Sequence, residues 1–441
     1  MLHGLVGEVA VGSELKQEYA FQGGGAMARD KSATRRRFLI GATAATFGVP
    51  LVVRASALGA DGAVPPSERI TMGAIGFGAR GRSVFGDLTR RSGVQALAVC
   101  DVQEARLQPA ADKGLAVYKD FRELLSRDDL DAVVITSPSH WKPLHTVAAA
   151  KAGKDVFCEK PMSLGVRDGR AMVDAVRRYG RVFQHGTQQR SSQEFLFACE
   201  MVRSGRIGEL KSATVYVGGP PQECSLPAQP VPPGVDWDMW LGPAPWRPFN
   251  ANICLRDCGG WEGLRDYSGG GMTGWGSHHF DIAQWGLAAD HTGPLEIIPP
   301  DGRDFKHLTY KYAGGAVVYH AGVMDTWAVV FEGTEGKIAV NRGTLQTWPE
   351  SLAQKPIGPD EVHLYRSDGH TANFLNCIRT RQDPICDVEI GHRTMTVCHL
   401  GNIAYQVKRP LRWDPAKEQF IGDTDADRLL DRARREPWSL S

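Results

Sequence analysis

The sequence predicts an α/β chain built on two sheets, a parallel one followed by a large, mostly antiparallel open one. Three observations carry this. From Ile70 to about Gln189, strand-like and helix-like runs alternate, the mark of a parallel sheet with crossover helices. Inside the first crossover stands Gly76-Phe77-Gly78-Ala79-Arg80-Gly81, a complete G-x-G-x-x-G. Beyond Arg190 the period drops to two in Ala213 to Val217, Leu308 to Tyr312, Ala316 to Ala321 and Ala328 to Glu332. Such runs suit a sheet with one face in the core.

Ahead of the sheets, Thr34-Arg35-Arg36-Arg37-Phe38-Leu39 precedes the apolar run Ile40 to Val53 and then Ala55-Ser56-Ala57. A basic segment, a short apolar segment and small residues make an export signal, and the paired arginines point to the Tat machinery. The apolar run is shorter than the ~20 residues a bilayer span needs, so no permanent membrane anchor is expected. Residues 1–57 are therefore read as a leader, Met27 as an alternative start, and the location as periplasmic or extracytoplasmic. Roughly 380 residues remain, enough for two domains by the usual size range. We place a Rossmann domain at 67–189, a substrate-binding α+β domain at 190–415, and a C-terminal tail at 416–441.

The net charge is +1, which gives no case for a nucleic-acid partner or an anionic membrane surface. Nine cysteines form no paired framework. Cys254-x-x-x-Cys258 is the one close pair, with no partner cysteine or histidine pair nearby; it is read as structural, with a disulfide or metal clip as the alternative, and no metal is expected.

In order along the first domain, Ile70 to Ile75 reads as a strand and Arg80 to Arg90 as the helix after the glycine loop. Gly76 permits the tight turn, Gly78 lets backbone approach a pyrophosphate, and Gly81 lets helix pack on sheet. Val94 to Cys100 is the next strand, and Asp101 at its end lies about 20 residues on, where a carboxylate binds ribose hydroxyls. Asp101 would repel a 2′-phosphate, so NAD is preferred and NADP is the alternative, with Arg80 and Arg82 softening the choice. Ala132 to Ile135 is a buried strand ending in Thr136-Ser137-Pro138, and Trp141 to Ala152 is helical in pattern. Asp155 to Cys158 is a strand running into Glu159-Lys160-Pro161, then Leu164 to Tyr179 a helix and Arg181 to His185 a strand. Ligands of such sheets sit at the carboxyl ends of the strands. Ser137, His140, Glu159, Lys160 and Gln188 all fall there. In the second domain Ser277 to Leu287 reads as a helix, and Thr371 to Gln406 as a helical stretch that returns to the first domain.

Together the glycine loop, Ser137-Pro138-Ser139-His140-Trp141, Glu159-Lys160-Pro161, and Gly269-Gly270-Gly271 leading into His278-His279-Phe280-Asp281 resemble the Gfo/Idh/MocA oxidoreductase family over about residues 67 to 415. The resemblance is nearest to its Tat-exported members. It implies a homo-oligomer and a sugar or cyclitol substrate, with Lys160 beside nicotinamide and substrate hydroxyl as a catalytic group. It places Gly76, Phe77, Gly78, Arg80, Gly81, Asp101, Ser137, Pro138, His140, Trp141, Glu159 and Lys160 around the cofactor. His278 matches the family histidine that accepts the hydroxyl proton. The family's D-x-x-x-H motif has its aspartate four residues earlier, and here that residue is Gly274. Asp281, one helical turn on, is the expected substitute that orients the imidazole, with Asp266 and Tyr267 as other candidates. Gln188, Arg190, Trp275 and Asp281 are the expected substrate residues, and His370 a further one. Trp141 and Trp275 are both candidates to stack on a ring. His279 is read as structural.

Three functions follow from the resemblance: hydride transfer between a carbinol carbon and a tightly held NAD; an NAD-dependent glycosidase that oxidises only transiently; and a nucleotide- and sugar-binding protein without catalysis. An exported protein meets no free nicotinamide pool, so its cofactor is expected to stay bound and be restored each cycle.

Overall fold

A computed structural model describes residues 64–255, 260–324 and 326–440 of the 441. The leader and Cys258 lie outside the described residues. Six strands make the first sheet: β1 (Ile70–Ile75), β2 (Val94–Cys100), β3 (Ala116–Tyr118), β4 (Ala132–Ile135), β5 (Asp155–Cys158) and β6 (Phe183–His185). Their order is β3-β2-β1-β4-β5-β6 and every pairing is parallel. The strand order reverses beside β1, between β2 and β4, so the crevice at their carboxyl ends is the ligand position of such a sheet. Crossover helices α1 (Ala79–Thr89), α2 (Glu104–Ala111), α3 (Phe121–Leu125), α4 (Lys142–Lys151) and α5 (Val166–Arg178) cover its faces. β4 and β5 are buried at every position, which accounts for their unbroken apolar sequence.

After α6 (Gln193–Arg203) come β7 (Leu210–Val215), β8 (Glu296–Ile298), β9 (Leu308–Lys311), β10 (Val317–His320), β11 (Val329–Gly333), β12 (Lys337–Asn341), β13 (Thr344–Trp348), β14 (Leu411–Asp414) and β15 (Gln419–Phe420). They build one sheet ordered β13-β12-β11-β7-β10-β9-β8-β14-β15. Only β7 with β10 is parallel; the other pairs are antiparallel. A short helix, α7 (Trp237–Leu241), and α8 (Gly276–Gly286) come from the connection between β7 and the next strand. Every residue of α8 is buried.

Residues 371–406 differ from the sequence expectation. They form two helices, α9 (His370–Thr380) and α10 (Val388–Val407), separated by a turn. Arg381 ends the first helix in the left-handed region at φ 60°. Pro384 cannot donate to a continuing helix. Asp387 then caps α10, its carboxylate accepting from the amides of Glu389 and Ile390. α9 lies against α1 through Thr371, whose hydroxyl donates to Asp87 at 2.6 Å.

The segment after β14 (Leu411–Asp414) is also more than a tail. Leu430 is buried, Arg434 pairs with Asp168 of α5, and Arg435 bonds the carbonyl of Gly242 at 2.9 Å. Trp438 packs edge-on against Trp141, ring centroids 4.6 Å apart.

Candidate active site

The chain leaves β1 and turns at Gly76 with φ +85°. A Cβ there would stand 2.6 Å from the amide nitrogen of Ser137, and one at Gly81 would stand 2.2 Å from the carbonyl oxygen of Gly76. No side chain fits at either position, so backbone alone forms this wall. It opens on a cleft of about 390 Å³ lined by Gly76, Gly78, Arg80, Gly81, Asp101, Ser137, Pro138, Trp141, Glu159, Lys160 and Trp275, among others.

Asp101 is buried at the cleft. Its Oδ2 accepts from the Phe77 amide at 2.6 Å and its Oδ1 from the Gln103 amide at 3.0 Å. Arg106 of α2 stands 3.7 Å away, a partner that sequence reading missed although it lies one turn and a half beyond the acid. Burial pushes the Asp101 carboxyl up, and Arg106 with the two amides opposes that shift. Phe77 serves through its amide only; its ring is buried against Phe85. A glycine cradle at a helix start, with a carboxylate at the neighbouring strand end, fits a dinucleotide: glycines for the pyrophosphate and Asp101 for the ribose.

On the opposite wall, Arg80 donates from Nε to Glu159 Oε1 at 2.7 Å and ties the glycine loop to the end of β5. Lys160 follows, half-buried and on the cleft wall, joined to Pro161 by a cis bond. Its ammonium has no hydrogen-bond or ion-pair partner among the described residues. A second lysine explains how it is held. Lys142, buried at the start of α4, donates from Nζ to the carbonyls of Lys160 and Pro161 at 3.0 and 3.1 Å. Burial pulls its ammonium down to about 8. Sequence reading passed over Lys142, yet a cation opening a helix that is otherwise Pro-Leu-His-Thr-Val-Ala-Ala-Ala was the available signal.

From the second domain, Trp275 lines the cleft and is 49% exposed. Arg342, at the turn between β12 and β13, lies over it with its guanidinium carbon 4.9 Å from the ring centroid. This arginine was also missed; Asn341-Arg342-Gly343 reads only as a turn. His278 sits behind the cleft wall, its ring centroid 5.9 Å from that of Trp275 and its Nδ1 without a hydrogen-bond partner among the described residues. Burial drives its basicity well below the ordinary histidine value, and the charges of Lys160 and Arg342 push the same way. Its surroundings therefore oppose the charged form of the ring. A Cβ built on Gly274 meets nothing within 4 Å. His279 donates from Nδ1 to the carbonyl of Tyr216, 2.8 Å away, as a structural histidine does.

Several expected residues lie elsewhere. Asp281 does not orient His278: its Oδ2 accepts from Arg190 Nε at 2.7 Å and its Oδ1 from Thr394 at 2.8 Å. Arg190 is likewise no open substrate group. It is 2% exposed, pairs also with Asp290 at 2.7 Å and lies over Trp285. A buried guanidinium needs carboxylates on both sides, and Asp281 is consumed by that need. His140 points away from the first cleft. Its Nε2 meets the Trp240 carbonyl at 2.9 Å, it lines a second cavity of about 350 Å³, and burial lowers it to about 4. Trp141 edges the cleft but is 3% exposed, stacks on His145 and donates its indole N–H to the Met239 and Trp240 carbonyls, both at 3.0 Å. It is a wall, not a free stacking face.

Gln188 is absent from the cleft lining, its Oε1 buried without a partner among the described residues. Asp266 stands 3.8 Å from Arg247, and Tyr267 is buried against Trp240. His370 bonds Ser191 and the His185 carbonyl. Cys254 is buried, its carbonyl accepting from Gln103 at 3.0 Å. No cluster of three metal-ligating side chains occurs among the described residues.

Comparison with known proteins agrees with this geometry. The Gfo/Idh/MocA family models match residues 70–187 as "Oxidoreductase family, NAD-binding Rossmann fold" and residues 215–440 as "Oxidoreductase family, C-terminal alpha/beta domain". A Glycosyl hydrolase family 109 protein of Shewanella baltica is 33% identical over 157 residues, which are 33% of this chain and 34% of that protein. The chain thus matches about a third of the length of that relative. Among solved structures, the WlbA dehydrogenase from Bordetella pertussis in complex with NADH and UDP-GlcNAcA superposes with a TM-score of 0.56 at 19% identity, covering 78% of this chain and 99% of its own. The aldose-aldose oxidoreductase of Caulobacter crescentus gives 0.55 at 18% identity, covering 78% and 99%. Likeness at these identities is a likeness of fold.

Proposed function

The chain belongs to the Gfo/Idh/MocA oxidoreductase family, and from that premise we propose that it moves hydride between a carbinol carbon of a sugar, cyclitol or glycoside and a tightly held NAD. One observation carries the reading: a single cleft is lined by the glycine cradle, by Asp101 and by Lys160, whose ammonium is unpaired. Nicotinamide, when bound, supplies the hydride acceptor. Lys160 then holds the substrate hydroxyl at the cleft wall and takes part in moving its proton, with the unpaired ring nitrogen of His278 behind it as a further acceptor. Lys142 fixes the peptide that carries Lys160. Asp101 favours NAD over NADP, and Arg106 beside it weakens that preference.

The twin-arginine leader supports export through the Tat route and a periplasmic site of action. Retention of the cofactor follows as a requirement of that location. We also read the protein as a homo-oligomer, from the family resemblance.

A second reading is supported by the Shewanella relative's name and by Gly274, which leaves the cleft without the family's aspartate. It is glycoside hydrolysis in which a substrate carbon is oxidised and restored within one turnover. Absorbance at about 340 nm of the cofactor-loaded protein separates the two. A lasting change of one equivalent on adding a single sugar supports net hydride transfer. An unchanged signal with aglycone released over many turnovers makes the protein a glycosidase.

A further inference from the structure

Charge in the cleft cancels on one side and not on the other. Glu159 is engaged by Arg80, and Asp101 has Arg106 beside it. Glu262, the remaining carboxylate of the lining, stands in the turn Trp261–Gly263, and its charge acts on Lys142. Lys160 and Arg342 have no ion-pair partner among the described residues, and both charges act on His278. Where the family pattern places an aspartate, Gly274 leaves open space.

Arg342 is held in place rather than left to wander. The Gly343 amide next to it donates to Glu194 Oε1 of α6 at 3.0 Å, and its own amide donates to Asn341 Oδ1 at 2.8 Å. Its guanidinium stands 4.9 Å from the centre of Trp275, the exposed indole of the cleft wall. An exposed indole with a fixed guanidinium over it and a free ammonium on the same cleft, their neighbouring carboxylate Glu159 already engaged by Arg80, suits a ring that bears a negative charge.

We propose that the substrate is an anionic sugar, its ring laid on Trp275 and its carboxylate or phosphate held by Arg342. This rests on the sugar-oxidoreductase reading above. Arg342 is then the specificity-determining residue, and the reacting carbon is one that faces Lys160.

Calorimetric titration of the cofactor-loaded protein with uronates, sugar phosphates and their neutral parents tests it, with absorbance at about 340 nm recorded in parallel. One acid should bind at least roughly tenfold tighter than its parent sugar, the scale of one charge-assisted hydrogen bond. The class that does so identifies the group as carboxylate or phosphate. Arg342→Ala should erase that preference, leave the neutral parent's affinity and the bound cofactor unchanged, and be partly rescued by Arg342→Lys. The variant lies at an exposed turn, so its folding is checked by an unaltered Tm. Equal binding of acid and parent, or a preference that survives Arg342→Ala, overturns the inference while redox change with a neutral sugar leaves the wider reading standing. Loss of cofactor in Arg342→Ala without loss of acid preference assigns the arginine to the dinucleotide and also overturns it. No binding and no absorbance change with either class removes the sugar reading itself, and the inference with it.

Discussion

The two walls of the cleft solve opposite problems. On the Rossmann side the charged groups are already matched: Arg80 with Glu159, Arg106 near Asp101, the Phe77 amide on the same carboxylate. On the side formed by Lys160, Trp275, His278 and Arg342, an ammonium, a guanidinium and an imidazole nitrogen make no polar pair among the described residues. Matched groups hold a shape whether or not a ligand is there. Of the unmatched groups, the half-buried ammonium and the exposed guanidinium keep water within reach, while the buried His278 nitrogen carries the cost of a polar atom left alone, about 1–3 kcal/mol. The first wall is matched within the protein and the second is not.

Substitutions on each wall should therefore fail in different ways. Lys160→Met is expected to lower kcat by roughly 100- to 10,000-fold, the range for loss of a proton-transfer group, while the amount of bound cofactor stays constant. Stopped-flow turnover and absorbance of the purified protein report the two separately; cofactor loss in this variant would break the comparison. Gly81→Ala should do the reverse. Its Cβ would lie 2.2 Å from the Gly76 carbonyl, so the loop must open, and protein eluted from a sizing column should carry little dinucleotide.

Lys142→Met sharpens the boundary between the walls through pH. In the folded chain burial lowers Lys142 to about 8 from 10.5. Between those values the unfolded chain binds more protons, so wild-type stability rises with pH across that window, and below it the full penalty applies. Relative to Lys142→Met, the wild type should gain on the order of 2 kcal/mol from pH 8 to pH 10 in denaturant unfolding. A flat difference would mean that the ammonium is not desolvated. The smallest effect is expected from Gly274→Asp. The new side chain enters open space, so Tm should move by no more than a few degrees. Binding of an acidic sugar should weaken and that of its neutral parent should not.

Legibility followed chain locality. The glycine loop, Asp101 and Lys160 are each announced by neighbours a few residues away, because a strand, a turn and a helix start are local events. Both sheets were legible for the same reason, through runs of period two and buried strands. The partners of Arg190 were not. Asp281 stands one helical turn from His278 in sequence, yet its carboxylate is turned to a guanidinium 91 positions away. Arg106, Lys142 and Arg342 were missed alike: each becomes part of the cleft only when separate elements meet. The break between α9 and α10 was readable in Pro384 and Asp387, but the apolar content on both sides concealed it.

The contact of Trp438 with Trp141 has a consequence in time. The wall that Trp141 forms is made early in synthesis, whereas the residue that packs behind it emerges nearly 300 positions later. At ribosomal speeds of about 5–20 residues per second, that is a wait of roughly 15 to 60 seconds. Through that interval the indole of Trp141, already stacked on His145, lacks its edge-on neighbour, and this side of the cleft wall closes only when Trp438 arrives.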